Sequence, residues 1–179
     1  MEHDAARGQP VALPEPGDGL TDPRELLTTY LDFYRDTILR KLDGMSEADL
    51  RQSRLPSGWT PLQLLKHLAH VERRWLQWGF RGEPIAQLWG EDDARGRWAI
   101  EPGESSGEIP SFFLDSCDRS RRIVGSAELG EVARSGGRFN PPDPHPALIG
   151  ILFHLLQEYA RHAGHLDVVR ELVDGTVGE

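Results

Sequence analysis

From Pro146 to Asp174 the chain reads PALIGILFHLLQEYARHAGHLDVVRELVD, and this stretch constrains the fold more than any other. Projected at about 100° per residue, Leu148, Leu152, Leu155, Leu156, Tyr159, Ala163, Leu166 and Val173 fall on one face, and Gly175 follows as a stop signal. A helix this long with one apolar face has to be covered by other helices or by a sheet. Strand signals are almost absent, because no alternating β-branched run is flanked by a hairpin turn. The cover must therefore be helical.

Three further helices are legible. The first starts at TDPRELLTTYLDFYRDTILRKLDG, with Asp22 as N-cap, Pro23 at the first helical position and Glu25 at capping-box spacing. Leu27, Leu31, Tyr34, Ile38 and Leu42 recur along one face, and Gly44 ends it. A short helix at SEADLRQS has Ser46 as cap. The second long helix is TPLQLLKHLAHVERRWLQWGFRG, capped by Thr60, begun by Pro61, boxed by Gln63 and ending near Gly79 or Gly82. A third spans about 109 to 126, and the loop ARSGGRFNPPDPHP separates it from the fourth. Four main helices joined by loops of about 15 to 35 residues predict an all-α protein, a four-helix bundle with long loops.

The length predicts one domain, over residues 21 to 176. Residues 1 to 20, MEHDAARGQPVALPEPGDGL, are rich in Pro, Gly and acid and read as a flexible N-terminal arm. The formal charge of −9 argues against a nucleic-acid partner, which needs a basic face. No apolar run approaches the roughly 18 residues a membrane span needs, and no basic-then-apolar leader is visible, so a cytoplasmic location without a membrane partner is expected. The single Cys117 excludes an intramolecular disulfide framework and reads as a half-buried helix cysteine. The acidic run GEDDARG at 90 to 96 lacks the ligand spacing of a calcium loop and reads as solvated.

The histidines carry the chemistry. His162 projects into the apolar face of the last helix, and Glu158 and His165 lie on its margin. A carboxylate and an imidazole four residues apart stack one turn above the other and can chelate one ion. In the second helix His67 projects at the margin of the apolar stripe. His70 projects onto the polar side beside Arg74, which predicts a solvated ring. Glu72 falls within the stripe, where a carboxylate needs a partner, and reads as an anchor to an arginine. His3, His145 and His154 read as surface residues. One His from the second helix with a Glu and a His from the last leaves coordination positions open, which suits Zn²⁺ or non-haem Fe²⁺; Ni²⁺ accepts the same donors. The spacing leaves two other readings open: a solvated surface pair, or a buried hydrogen-bonded cluster without metal.

SGWTPLQLLKHLAHVERRWL followed by EYARHAGHLD resembles the DinB-like superfamily of metal-binding four-helix bundles, over roughly residues 20 to 175. The resemblance is closest to its actinobacterial branch, related to mycothiol-dependent maleylpyruvate isomerase. It implies an up-up-down-down bundle with one divalent metal held by His67, Glu158 and His162, many members having His at the position of Glu158. Gly164 and His165 match the family's Gly and polar residue after the last ligand, which implies a near-site role for His165. The implied activity is a metal-dependent S-transferase with mycothiol as co-substrate and a small-molecule electrophile. His165 and His70 are the candidate proton carriers, because an unperturbed imidazole titrates near neutrality. A homodimer is also implied. The alternative is a non-catalytic metal-binding or stress-related protein. The irregular stretch 83 to 107, with Trp89 and Trp98, reads as a roof over the pocket or as a plain surface loop.

Overall fold

The computed structural model describes residues 14–17, 19–86, 99–101 and 103–178. Most of the expected arm, the acidic run, and both Trp89 and Trp98 lie outside them. The chain forms α1 (Pro23–Leu42), a short α2 (Glu47–Arg51), α3 (Pro61–Glu72), a π-helical continuation of α3 (Arg73–Phe80), α4 (Glu108–Gly125) and α5 (Leu148–Asp174). Among the described residues the only extended pairing is an isolated bridge between Val132 and Ala147. The protein is an all-α bundle.

The helix starts follow from their caps. Asp22 accepts the Glu25 backbone N–H at 2.9 Å, with Pro23 behind it. Thr60 and Gln63 form a reciprocal box: the Gln63 N–H donates to Thr60 Oγ1 at 3.3 Å, and the Thr60 N–H donates to Gln63 Oε1 at 3.0 Å. At the other end of α5, Gly175 takes φ 75°, a left-handed closure. The long apolar faces meet in one core, to which Leu31, Ile38, Leu65, Leu68, Phe113, Leu152, Leu155 and Leu166 contribute fully buried side chains.

The order of helix directions departs from the up-up-down-down expectation. Arg170 donates to the Lys41 carbonyl at 3.0 Å and the Asp43 carbonyl at 2.7 Å, and Lys41 pairs with Asp167, while Arg35 lies over the Tyr159 ring. Positions therefore advance together along α1 and α5, which are parallel. His67 meets His162, Glu72 meets Tyr159 and Trp75 meets His154, so α3 runs against α5. His70 meets Phe112 and Glu83 meets Arg119, so α3 and α4 are parallel. The bundle is up-down-down-up. Parallel neighbours explain the long connection between α3 and α4, since the chain has to return along the whole bundle before α4 can begin.

The sequence reading carried the second helix to Gly79 or Gly82 as one regular element. Its last eight residues are instead π-helical, from Arg73 to Phe80. The α4–α5 loop clasps this segment. The Arg134 N–H donates to the Phe80 carbonyl at 2.9 Å, and the Arg138 N–H to the Trp78 carbonyl at 3.4 Å. Gly137 lies so close to Trp78 that a Cβ there would stand 1.8 Å from the Trp78 carbonyl oxygen.

Candidate metal centre

The inward face of α5 and the middle of α3 converge where the two helices run antiparallel. His162 and Glu158, one turn apart on α5, share this face, and His67 reaches it from α3. His162 Nε2 is 3.3 Å from Glu158 Oε2, and His67 Nε2 is 3.8 Å from the same oxygen. One ligand atom from each of the three lies within 4.8 Å of the others, the one such cluster among the described residues. Ligands at tetrahedral angles, each about 2.0–2.1 Å from a Zn²⁺ ion, stand roughly 3.3 Å apart. The His162–Glu158 pair already has that separation, and His67 Nε2 stands about half an ångström beyond it from Glu158 Oε2. The donor set, two imidazoles and a carboxylate, fits a borderline divalent cation.

Both ring ligands are buried and Glu158 is half-buried. Hydrogen bonds from His162 and then His67 hold the Glu158 carboxyl well below the usual carboxylate range, outweighing the opposing effect of burial. The other oxygen, Oε1, faces His154 Nε2 at 3.7 Å and Arg161 at 4.0 Å. His165 Nδ1 lies 3.3 Å from His162 Nδ1. Two imidazole nitrogens this close need one proton between them. With His162 Nε2–H donating to Glu158, Nδ1 of His162 is the acceptor and His165 Nδ1–H the donor; a metal on Nε2 would reverse the pair and make His162 Nδ1–H the donor. His165 is itself exposed beside Trp59.

His70 differs from its sequence reading. It is 6% exposed, not solvated, because Phe112 of α4 covers its ring at a centroid distance of 5.0 Å. Burial, with Arg73 and Lys66 nearby, pushes its pKa down to about 3. His145 also departs from expectation: its Nδ1 stands 2.7 Å from the Ala133 carbonyl oxygen, and its Nε2 is buried. Cys117 is 1% exposed, deeper than half-buried, and burial with Glu72 nearby pushes its thiol up to about 12.

Glu72 is the anchor its position implied. Its Oε1 accepts from Arg35 Nε at 2.9 Å and the Tyr159 hydroxyl at 2.7 Å, with Arg35 Nη2 in an ion pair at 2.8 Å and Cys117 Sγ at 3.9 Å. One carboxylate thus ties α1, α3, α4 and α5 together. Tyr159 adjoins Glu158, so this hub also fixes the level at which α5 presents its ligands.

A wall beside the cluster was not legible in the sequence. The His154 ring stacks on Trp75 at 3.9 Å, and the Arg138 guanidinium carbon lies 4.4 Å from the centre of the same indole. Phe139 closes on Trp75 at 6.0 Å. The i−4 spacing of His154 from Glu158 was the available signal. Arg138 and Phe139 come from an irregular loop, which carries no periodicity to read.

No helix among the described residues is long and apolar enough to cross a membrane. A family model described as Mycothiol-S-transferase matches residues 26–175, most of the chain and all of α3 and the α5 ligand face. No curated protein matches it.

Proposed function

The chain belongs to the mycothiol-S-transferase family, itself DinB-like, and on that premise we propose that it is a metal-dependent enzyme transferring a low-molecular-weight thiol, mycothiol or a close analogue, to a small electrophile. The observation that carries the proposal is the grouping of His67, Glu158 and His162 inside the matched region, one ligand atom of each within 4.8 Å of the others. These three residues would hold the metal, with Zn²⁺ the first candidate and Fe²⁺ or Ni²⁺ suited to the same donors. A divalent ion there would lower the pKa of a thiol, which is mostly protonated near neutral pH when free.

The chain's own residues do the rest. Glu158, already ionised across the working pH range, contributes negative charge without giving up a proton. With a metal on His162 Nε2, His165 Nδ1 would accept the His162 Nδ1–H and keep Nε2 on the ligand side. His154 and Arg161 stand beside Glu158 Oε1 and limit its rotation. In the transfer, a C–S bond forms as the bond from carbon to the leaving group breaks. The leaving group departs with the electron pair, and the thiol proton passes to water. His70, neutral and covered by Phe112, is not suited to carry that proton. His165 is the better placed of the two.

The test is metal content by mass spectrometry on tag-free protein, wild type against His162→Ala, followed by turnover of a fluorogenic alkyl bromide with mycothiol. About one metal ion per chain, lost in the variant together with turnover, is the expected result. A metal-free wild type after Zn²⁺ addition, or a loaded protein that transfers no thiol, overturns the proposal.

A further inference from the structure

We propose that the cleft between the end of the π-helical segment and α4, walled by Arg81, Arg119, Arg122 and Arg134, binds a phosphate group, as the free ion or as part of a small phosphomonoester. The cleft lies apart from the metal cluster, and the inference does not rest on the S-transferase reading. Arg81 follows His67 by 14 positions along α3 and its continuation, roughly 20 Å of helix rise.

Three separate stretches of chain bring four arginines to this open cleft of about 310 Å³: Arg81 after the π-helical segment, Arg119 and Arg122 on α4, and Arg134 in the α4–α5 loop. Among the described residues Glu83 is the one carboxylate that lines it, and Arg119 holds both Glu83 oxygens, at 2.7 and 3.0 Å. Arg81 lies over the Phe80 ring at 5.6 Å and donates to the Ser126 hydroxyl at 2.6 Å. It shares Glu131 with Arg134 only at the long distances of 3.8 and 4.0 Å. Arg122 has no hydrogen-bond or ion-pair partner among the described residues. Four positive charges thus face two negative ones, in a chain whose formal charge is −9. Guanidiniums gathered in this way repel one another until an anion enters.

Two parallel helices end beside this cleft, and the carbonyls at a helix C-terminus attract cations on their own account. That task is already filled by other groups. Arg24 of α1 donates to the Val124 and Ala127 carbonyls at 2.9 and 2.6 Å, at the end of α4. At the end of the π-helical segment the Leu76, Gln77, Trp78 and Phe80 carbonyls accept from the main-chain N–H groups of Arg81, Glu83, Arg138 and Arg134. None of the four guanidiniums in the cleft donates to a backbone carbonyl among the described residues. The donors of Arg122 and Arg134 therefore remain for a ligand, beside the charge of Arg81. A phosphate group suits them better than a carboxylate does. It carries up to two negative charges and presents three or more acceptor oxygens, so that forks on different sides can each engage it.

The experiment uses the full chain, as isolated and after treatment with EDTA, in chloride buffer at constant ionic strength. Binding of inorganic phosphate and of phenyl phosphate is measured by titration calorimetry for wild type, Arg122→Gln and Arg122→Gln/Arg134→Gln. Both side chains belong to exposed residues, so thermal melts in chloride serve as the folding control. The wild type is expected to bind at least one of the two probes, with or without EDTA treatment. The double variant should bind it about 10-fold or more weakly and melt unchanged in chloride. If the double variant melts lower, Arg122→Gln, which breaks no printed contact of its own, carries the comparison. Tighter binding of phenyl phosphate identifies a phosphomonoester as the ligand, and phosphate bound at least as tightly identifies the free ion; either upholds the site. Binding of neither probe, or binding that survives undiminished in the variants or vanishes with EDTA, as phosphate held on a metal would, overturns the inference.

Discussion

Replacing Arg35 by methionine should be the most damaging single change that leaves the metal ligands untouched. Arg35 is 4% exposed and Glu72 0% exposed, and Arg35 holds Glu72 Oε1 through an Nε hydrogen bond at 2.9 Å and an Nη2 ion-pair contact at 2.8 Å. The substitution keeps much of the aliphatic volume and strands a buried carboxylate on the Tyr159 hydroxyl and a distant thiol. Breaking a buried pair from one side costs about 3–5 kcal/mol, a large part of the roughly 5–15 kcal/mol that holds a domain together. With a urea m-value of about 2 kcal/mol/M, the midpoint falls by about 2 M. Removing Glu72 as well, in Arg35→Met/Glu72→Met, takes the stranded charge away and leaves only the Tyr159 hydroxyl short of its acceptor, about 1–3 kcal/mol. The double variant should therefore be more stable than Arg35→Met alone. Urea unfolding followed by far-ultraviolet circular dichroism measures both. If the two losses simply add, or Arg35→Met costs under 1 kcal/mol, the carboxylate hub does not hold the helices together as described.

Three further outcomes follow from particular contacts. His70 stays neutral in the fold down to about pH 3, whereas the unfolded chain binds its proton below about 6.5; stability then falls as pH drops below 6.5, by up to about 1.4 kcal/mol per unit, and His70→Leu should flatten the slope between pH 6 and 4 in urea melts. His165→Ala should weaken Zn²⁺ binding roughly 10- to 100-fold in competition with a chromophoric chelator and leave the melting temperature of the metal-free protein unchanged; an unaltered affinity would show that His162 needs no outer partner. Gly137→Ala puts a Cβ against the Trp78 carbonyl and should cost about 1–3 kcal/mol, whereas Gly164→Ala meets no atom within 4 Å and should gain up to about 1 kcal/mol; calorimetric melts moving in the same direction for both would contradict the packing of the loop.

The sequence disclosed what depends on local periodicity and hid what depends on distant chain. His67, Glu158 and His162 were readable because helical projection puts them on inward faces, and the structure brings those faces together. Glu72 was readable as an anchor because a carboxylate within an apolar stripe needs a partner, but Arg35 could not be named from a helix 37 residues away. His70 was misread for the same reason: its cover, Phe112, belongs to α4. The helix ends were legible from Asp22, Thr60 and Gly175, whose side chains or conformations act within a turn. The π-helical turns after Glu72 left no mark in the apolar spacing, and the helix directions could not be read, because long loops permit several orders.

The parallel pairing of α1 with α5 has a consequence for how the chain is made. Synthesis delivers α1 first and α5 last, so the earliest helix to leave the ribosome waits for the latest to cover its apolar side. Until residue 158 emerges, only His67 of the three candidate ligand residues exists, and no metal can bring the unfinished chain together. The nascent protein therefore passes through a stage with an open, greasy groove where α5 belongs, and chaperone capture or aggregation competes with completion at that stage. The last helix is at once the final wall of the core and the supplier of two of the three candidate ligands, so closure of the fold and assembly of the proposed site are a single late event.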